Sequence, residues 1–187
     1  MRVDLEAFER FYRAESDPWC FASSPYEQRK YELTVASLPR RHYRRCFEPG
    51  CSIGALTERL AAVAAEVVAI EASATAAAAA VQRLGAYPNV SVRNGSVPQD
   101  WPHGEFDLIV LSELGYYWDA AELTTIVERG RDCLRREGHL VGVHWLGHSD
   151  DHLLNGSDVH EIIAGTFGPS IVRHAESEFL LDVWELP

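Results

Sequence analysis

The run E-P-G-C-S-I-G, from Glu48 to Gly54, decides the fold because it places two glycines between a strand-like and a helix-like segment. A dinucleotide-binding loop reads G-x-G-x-x-G and directs the N-terminus of a helix at a pyrophosphate. Here the acid Glu48 precedes the first glycine, and Ser52 replaces the middle one. A carboxylate at this point repels a pyrophosphate but can receive an ammonium group. The charge therefore argues against a dinucleotide.

A second acid, Glu71, ends the next predicted strand, E-V-V-A-I-E, 23 positions after Glu48. The two oxygens of a carboxylate match the two adjacent hydroxyl groups of a ribose. An acid that ends a strand is more often a surface residue than a ligand. Because a β-α-β pattern fills the interval between the two acids, their combination predicts a nucleoside-binding site.

Strand and helix patterns alternate around this region. Five segments are predicted strands: C-F-E, E-V-V-A-I-E, N-V-S-V-R, F-D-L-I-V-L-S and H-L-V-G-V-H. The last two strand segments, S-I-V-R-H and F-L-L-D-V-W-E-L, are close enough in sequence to pair. This alternation predicts an α/β fold with a doubly wound, mostly parallel sheet.

The N-terminal part is predicted to be helical. Leu5, Phe8 and Tyr12 have helical spacing, and D-P-W ends the first helix because the residue before a proline avoids helical geometry. A second helix is predicted from the N-cap Ser24 to about Leu38.

Length and composition limit the organisation and the partners. The 187 residues suit one domain, 1–187, with a helical cap over 1–42 and a core over 43–187. No apolar stretch reaches the roughly 18 residues of a membrane span, and the acidic N-terminus is unlike a secretory signal, so we expect a cytoplasmic protein without a membrane partner. The net charge of -11 opposes nucleic-acid binding. The four cysteines show no C-x-x-C spacing, which favours reduced thiols.

One region is basic against this acidic balance, and we expect a solvated face there, with an anionic partner as the alternative. Its residues are Arg29, Lys30, Arg40, Arg41, Arg44 and Arg45.

Several motifs resemble, in order, those of class I S-adenosylmethionine-dependent methyltransferases: E-P-G-C-S-I-G, Glu71, F-D-L-I-V-L-S-E and L-R-R-E-G-H-L. D-P-W, S-P-Y-E-Q-R-K-Y and S-E-L-G-Y-Y further resemble the NodS-like group, which is typified by a nodulation enzyme that N-methylates an amino sugar. The similarity covers almost the whole chain. It implies a Rossmann-like, seven-stranded sheet with helices on both faces, an antiparallel last strand and an N-terminal helical lid.

The resemblance implies a site for S-adenosyl-L-methionine, with S-adenosyl-L-homocysteine as the product. The residues implied to wrap the methionine part are Gly50, Cys51, Ile53 and Gly54, and Glu48 and Ser112 are also assigned to the cofactor site. Glu71 would hold the ribose, and Ala72 would lie against the adenine. Ser96 and Val97 stand where the family usually has an acid that contacts the adenine amine. Trp19 is implied to cover the cofactor, and Arg29 to pair with its carboxylate.

The acceptor is expected beyond the carboxyl ends of the strands, where open α/β sheets bind ligands. Glu113, just past the fourth strand, is predicted to orient an amine, and Tyr116 and Tyr117 follow it. His144 and Trp145 end the fifth strand. His144 is the predicted base, and a core histidine bonded to backbone is the competing interpretation.

His144, His148 and His152 are four positions apart, as metal ligands on a helix would be. W-L-G-H-S-D-D-H contains a glycine and follows a strand, so we expect no regular helix and no metal.

The sequence therefore predicts a methyltransferase that acts on a small acceptor, most plausibly the amine of an amino sugar or a related metabolite. An O-methyltransferase that depends on His144 is the nearest alternative. A non-catalytic module that binds the cofactor or a partner is another. A nucleic-acid methyltransferase is disfavoured by the acidic charge.

Overall fold

A computed structural model of the protein describes residues 5–187. The helices are α1 (Leu5–Ala14), α2 (Pro25–Ala36), α3 (Ala55–Leu60), α4 (Ala74–Arg83), α5 (Ala120–Cys133) and α6 (Gly156–Phe167). The strands are β1 (Tyr43–Pro49), β2 (Ala64–Glu71), β3 (Val90–Asn94), β4 (Phe106–Ser112), β5 (Leu134–Trp145), β6 (Val172–Ala175) and β7 (Phe179–Glu185). A 3₁₀ turn, Gly115–Tyr117, lies between β4 and α5.

Within residues 5–187 the strands form a seven-stranded sheet in the order β3-β2-β1-β4-β5-β7-β6. The pairs β1–β2, β2–β3 and β4–β5 are parallel, whereas β7 runs antiparallel to both β5 and β6. The predicted fold class is confirmed, including the single antiparallel strand at the end of the chain. Among these residues no helix has the length and apolar character that a membrane crossing needs.

Backbone contacts group the chain into two units, one that ends at Pro102 and one that begins at His103. In the first unit, the register of β1 and β2 pairs Pro49 with Ile70, so both strands end at the same edge. Small residues let α4 approach this sheet closely: Ala69 and Ala80 are fully buried and pack with Cys51 and Leu84. The alanine-rich sequence of α4 therefore serves packing.

In the second unit, β4 and β5 end together, with Ser112 opposite Val143. The strand β7 pairs along the other edge of β5 and brings Asp182 opposite Gly142. Helix α6 packs against α5, β5 and β7. The carboxyl ends of β4 and β5 and the helix α6 thus position the side chains that follow these strands.

The N-terminal helices form where they were predicted. Helix α1 has the predicted apolar spacing, and the hydroxyl group of Ser24 accepts a hydrogen bond at the N-terminus of α2. The expectation that Lys30 belongs to a solvated basic face was wrong. Lys30 is only 2% exposed, donates to Glu27 Oε1 at 3.0 Å and lies 4.9 Å from the centre of the Tyr26 ring. Such a pairing offsets the cost of burying the ammonium group.

Candidate functional site

The segment that joins β1 to α3, Pro49–Gly54, is here called the glycine loop, and its backbone turns through left-handed conformations. Gly50, Ser52 and Gly54 have φ angles of 72°, 51° and 81°. A Cβ atom on Gly54 would meet Leu84 Cδ1 at 2.8 Å, so both the conformation and the space require glycine. The backbone N–H groups of Gly50 and Cys51 donate to Ile70 O at 2.7 and 3.1 Å, which ties the loop to the end of β2.

Glu71, at the end of β2, joins the two strand ends through its carboxylate. Its Oε2 accepts from the backbone N–H of Ser52 at 2.8 Å, and its Oε1 accepts from the backbone N–H of Ser73 at 2.8 Å. Burial raises the pKa of Glu71, while these two hydrogen bonds act in the opposite direction. Each oxygen has a further lone pair, so the carboxylate can still accept hydrogen bonds from two hydroxyl groups.

Glu48, in β1, is the buried acid next to the glycine loop. It is 3% exposed, and its Oε2 has no hydrogen-bond partner in the described part of the chain, residues 5–187. Burial, reinforced by the charge of Glu71, raises the pKa of Glu48 to about 8. The charged form that we expected to receive an ammonium group is therefore the minor form at pH 7 in the absence of a ligand.

Helix α1 is fastened to this loop and to the start of α4. The phenol group of Tyr12 and the hydroxyl group of Ser52 are hydrogen bonded at 2.5 Å. The carboxylate of Glu9 accepts from the hydroxyl groups of Ser73 and Thr75, both at 2.7 Å. These bonds lower the pKa of Glu9 to about 2. Ser52, which departs from the usual glycine-rich pattern, thus has a contact that glycine could not make.

We expect the Tyr12–Ser52 pair to be energetically coupled. In a double-mutant cycle, Tyr12→Phe and Ser52→Ala should show a coupling free energy of about 1 kcal/mol, the usual contribution of one hydrogen bond. Urea denaturation of the two single variants and the double variant measures it. Tyr87→Phe removes a different phenol bond, to Glu58, and should be additive with Ser52→Ala. If the free-energy changes were as additive in the Tyr12–Ser52 cycle as in the Tyr87–Ser52 cycle, the proposed coupling would be contradicted.

The remaining residues predicted for the cofactor lie in several environments. Cys51 is buried, and burial raises the pKa of its thiol. Ile53 is buried against Tyr12 and Ala76. Ala72 is half-buried, and its carbonyl accepts from Asn94.

Ser96 and Val97 follow β3 and are half-buried. The backbone N–H of Ser96 donates to Asp100 Oδ2 at 2.8 Å, so an acid does lie beside this turn, four residues later than the family position. Ser112 ends β4 in the second unit.

Trp19 belongs to an aromatic group in the N-terminal part of the first unit. Its ring lies 5.4 Å from Tyr12 and 5.7 Å from Phe21, and it also contacts Phe8 and Phe11. The ring is 37% exposed. Trp19 therefore reaches the glycine loop through Tyr12. Arg29 is exposed on α2.

In the second unit, Glu113 follows β4 with a left-handed φ of 53°. Its Oε2 accepts from the phenol of Tyr116 at 2.5 Å and from the backbone N–H of Trp145 at 3.0 Å. The carboxylate therefore links the end of β4, the 3₁₀ turn and the end of β5. The carboxylate is held both by a backbone N–H and by the phenol of a neighbouring side chain.

His144 is fully buried, and both of its ring nitrogens are engaged. Its Nε2 accepts from the backbone N–H of Gly115 at 3.1 Å, and its Nδ1 lies 3.1 Å from His160 Nε2. His160 Nδ1 lies 2.7 Å from Asp182 Oδ2. Because the backbone N–H of Gly115 can only donate, His144 Nε2 carries no proton and the proton of His144 is on Nδ1. His144 Nδ1 then donates to His160 Nε2, and His160 Nδ1 donates to Asp182. These contacts favour the competing interpretation of His144 as a core histidine bonded to backbone.

Asp182 ends this chain of hydrogen bonds. It is 1% exposed and also accepts from the hydroxyl of Ser170 at 2.9 Å. Although burial opposes ionisation, the bonds from His160 and Ser170 hold the pKa of Asp182 below its ordinary value. The other end of this series of hydrogen bonds is the backbone N–H of Gly115. A Cβ on Gly115 would meet His144 Nε2 at 2.8 Å, so the series of hydrogen bonds fixes the turn that carries Tyr116 and Tyr117.

Four rings gather beside Glu113, and we call them the aromatic cluster: Tyr116, Tyr117, Trp145 and His152. His152 stacks on Tyr116 with centroids 3.8 Å apart and packs edge-on against Tyr117 and Trp145 at 5.1 and 6.2 Å. Burial, with smaller effects from Asp151 and Glu113, raises the pKa of Tyr117 well above its ordinary value. At neutral pH its phenol is therefore a hydrogen-bond donor and not a base.

The segment between β5 and α6 is not helical, as predicted. His148 is exposed beside Asp150, whereas the rings of His144 and His152 both pack against Tyr116. Among residues 5–187 no three metal-ligating side chains are grouped to hold an ion.

Several residues escaped the sequence reasoning. Glu9 lies on the polar face of the amphipathic helix α1, where the sequence pattern predicts an ordinary surface acid. Its hydrogen bonds with Ser73 and Thr75 show that it holds α1 to α4. His160 and Asp182 lie within α6 and β7, where no motif of the sequence distinguishes them. His152 was weighed only as a metal ligand. A weak signal existed for His160, because a polar residue on the buried face of a helix needs a partner.

Comparisons with known proteins agree with this geometry. A family model described as Nodulation protein S (NodS) matches residues 7–165. Nodulation protein S from Sinorhizobium fredii (strain NBRC 101917 / NGR234) is 31% identical over 130 residues, which make up 68% of this chain and 60% of that protein. The chain thus spans about 60% of the length of this curated relative.

Solved structures agree as well. N-methyltransferase NodS from Bradyrhizobium japonicum WM9, in complex with S-adenosyl-L-homocysteine, has a TM-score of 0.86 at 25% identity over 98% of each chain. A structure from Pseudomonas syringae, described as that of a suspected methyltransferase, has a TM-score of 0.77 at 40% identity and covers 86% of this chain and 98% of that one. The resemblance inferred from the motifs is confirmed, and the chain belongs to the NodS family of class I S-adenosylmethionine-dependent methyltransferases.

Proposed function

We propose that the protein transfers a methyl group from S-adenosylmethionine to the amine of an amino sugar or a related small metabolite. The observation that carries the proposal is the arrangement at Glu71: a buried carboxylate, held by Ser52 and Ser73, at the end of the strand that follows a left-handed glycine loop. The sequence relationship to a protein named as an N-methyltransferase supports the choice of an amine. The single domain over 1–187, with its cap over 1–42, stays part of this proposal.

The first unit fits the cofactor on two counts. The buried Glu48 Oε2 has no partner among residues 5–187, and Glu71 retains lone pairs for two hydroxyl groups. When bound, S-adenosylmethionine supplies an electrophilic methyl group on a sulfonium sulfur. In our proposal Glu71 binds the ribose, Glu48 faces the ammonium group, and the loop from Gly50 to Gly54 surrounds the methionine part.

The other cofactor contacts are proposed from the family resemblance. Ala72, Ser96 and Val97 would border the adenine, and Trp19 would act through the lid formed by α1. The bond between Tyr12 and Ser52 supports a lid of this kind, because it fastens α1 directly to the loop. Arg29 keeps its proposed pairing with the carboxylate of the cofactor, and Ser112 stays in the proposed cofactor site.

The second unit would receive the acceptor. An attacking amine must be neutral, and positive charge grows on its nitrogen during transfer, so a fixed carboxylate stabilises the transition state. Glu113 supplies that charge in our proposal, and Tyr117 donates a hydrogen bond to the acceptor. His144 acts as a positioning residue, because both of its nitrogens hold the turn and the buried chain.

The proposal is tested by calorimetry with S-adenosylhomocysteine and by an assay of its release from S-adenosylmethionine. Glucosamine and short glucosamine oligomers serve as amines, and their N-acetylated forms serve as matched acceptors that offer only hydroxyl groups. We expect turnover with the amines alone. Turnover with the acetylated sugars would indicate an O-methyltransferase, and binding without turnover would indicate a non-catalytic module.

Glu71→Ala is expected to weaken S-adenosylhomocysteine binding by about 1–3 kcal/mol, because two N–H groups and the ribose hydroxyls lose their acceptor. Titration calorimetry measures the change. The control is Glu66→Ala on the same strand, where the side chain is 51% exposed and pairs with Arg45. An affinity equal to that of the control would remove Glu71 from the site.

A further inference from the structure

His152 differs from the other histidines near Glu113 in having unused ring nitrogens. His144 and His160 are engaged on both sides, whereas neither ring nitrogen of His152 makes a hydrogen bond within residues 5–187. Its ring is half-buried and held by stacking on Tyr116 at 3.8 Å, with an interplanar angle of 17°. A ring that is fixed by its face and open at its nitrogens is suited to exchange a proton with a ligand.

Backbone hydrogen bonds also hold the segment that carries this ring. The N–H groups of Leu153 and Leu154 both donate to Tyr116 O, at 2.8 and 3.2 Å. The N–H of His152 donates to Ser149 O at 3.1 Å. The segment that carries His152 is therefore attached to the turn that carries Tyr116, whose phenol bonds to Glu113.

Burial of the ring leaves the imidazole neutral near pH 7. Burial lowers the pKa of His152 below 6.5, Asp151 and Glu113 act in the opposite direction, and His148 adds to the lowering. The other titratable groups that pack on it are the phenols of Tyr116 and Tyr117. A neutral imidazole beside a carboxylate can accept a proton from an ammonium group that the carboxylate attracts.

We propose that His152 is the catalytic base, taking the proton from the acceptor ammonium group that Glu113 orients. This inference rests on the proposed function. The proton passes from R–NH₃⁺ to an imidazole nitrogen and frees the nitrogen lone pair. The N–C bond then forms as the C–S bond breaks, and its electron pair stays on sulfur. The imidazolium afterwards returns its proton to water.

A pH profile distinguishes this role from a structural one. With the base present, kcat/KM for glucosamine should rise as His152 loses its proton and then level off, because an amine that is already neutral needs no base. His152→Gln and His152→Phe can use only amine that is already neutral, so we expect a loss of about fivefold to tenfold at pH 7. The loss should disappear at pH 9, where an amine with an ordinary pKa of about 8 is mostly neutral. His152→Phe keeps the stacking on Tyr116 and removes only the nitrogens. His148→Gln, the exposed histidine of the same segment, is the matched control.

A readout without turnover is available from proton NMR of the histidine rings. The resonance missing from His152→Gln identifies His152, and its titration midpoint should lie below 6.5 and fall further in Asp151→Asn.

The outcomes separate the two proposals. If the wild-type protein turns over and His152→Phe matches His148→Gln at every pH, or loses the same factor at every pH, His152 is not the base and the proposed function stands. If S-adenosylhomocysteine binds but neither amine nor hydroxyl acceptors turn over, the proposed function fails, and the base with it. A midpoint above 6.5 would also overturn the assignment.

Discussion

Glu48→Gln is expected to make the protein more stable at pH 8 by about 2–4 kcal/mol while leaving its stability at pH 5 nearly unchanged. The pKa of Glu48 rises from 4.5 to about 8 in the folded chain because of burial and the charge of Glu71. Between these two values the folded chain binds more protons than the unfolded chain. The free energy of unfolding contributed by Glu48 is therefore complete below pH 4.5 and is lost as the pH rises to 8. A glutamine stays neutral and avoids that loss.

Urea denaturation of both proteins at pH 5 and pH 8 measures the difference. Glu32→Gln, an exposed glutamate on α2, is the control and should change neither value by more than about 0.5 kcal/mol. A parallel pH dependence in Glu48→Gln and the wild type would contradict a neutral Glu48. The same substitution bears on function, because a bound ammonium group favours the charged form. Binding of S-adenosylhomocysteine should then release a proton that calorimetry in two buffers detects.

Glu113→Gln is expected to lower kcat by about 10²–10³-fold while sparing S-adenosylhomocysteine affinity. The amide oxygen can still accept from Tyr116 and from the N–H of Trp145, so the substitution removes the charge and keeps the shape. The charge is what stabilises an ammonium group that develops during methyl transfer. Turnover with glucosamine and titration calorimetry measure the two quantities.

The control for this second experiment is Glu128→Gln, an exposed residue of α5. A wild-type rate in Glu113→Gln would leave the carboxylate without a role in the reaction. A melting temperature that falls together with the rate would assign the carboxylate to holding β4 and β5. An unchanged melting temperature with a reduced rate is the expected combination.

Local patterns in the sequence were sufficient for the architecture. The alternation of strands and helices, the caps at Ser24 and Ser73, and the loop before Gly54 depend on residues close together in the chain. Glu71 could also be placed, because a β-α-β unit brings the ends of successive parallel strands to one edge. The family followed from the same motifs.

The assignments within the second unit depended on contacts that no local pattern contains. His144 was the predicted base, but Gly115 and His160 occupy its nitrogens, and His160 reaches Asp182 across 22 positions of sequence. In the sequence, His152 is one of three histidines spaced four positions apart. Its distinguishing feature is the stacking of its ring on Tyr116, 36 positions earlier. Hydrogen-bond saturation and stacking are properties of the packed structure.

By itself, the sequence determined the α/β fold, the family and the two acids that end β1 and β2, because these follow from periodicity and from the spacing of motifs. The tertiary structure alone decided the protonation of Glu48, the fastening of α1 through Glu9 and Tyr12, and which histidine has nitrogens left for a ligand. The reason is that burial and hydrogen bonding set the state of an ionisable side chain, and both are made by residues far apart in the chain.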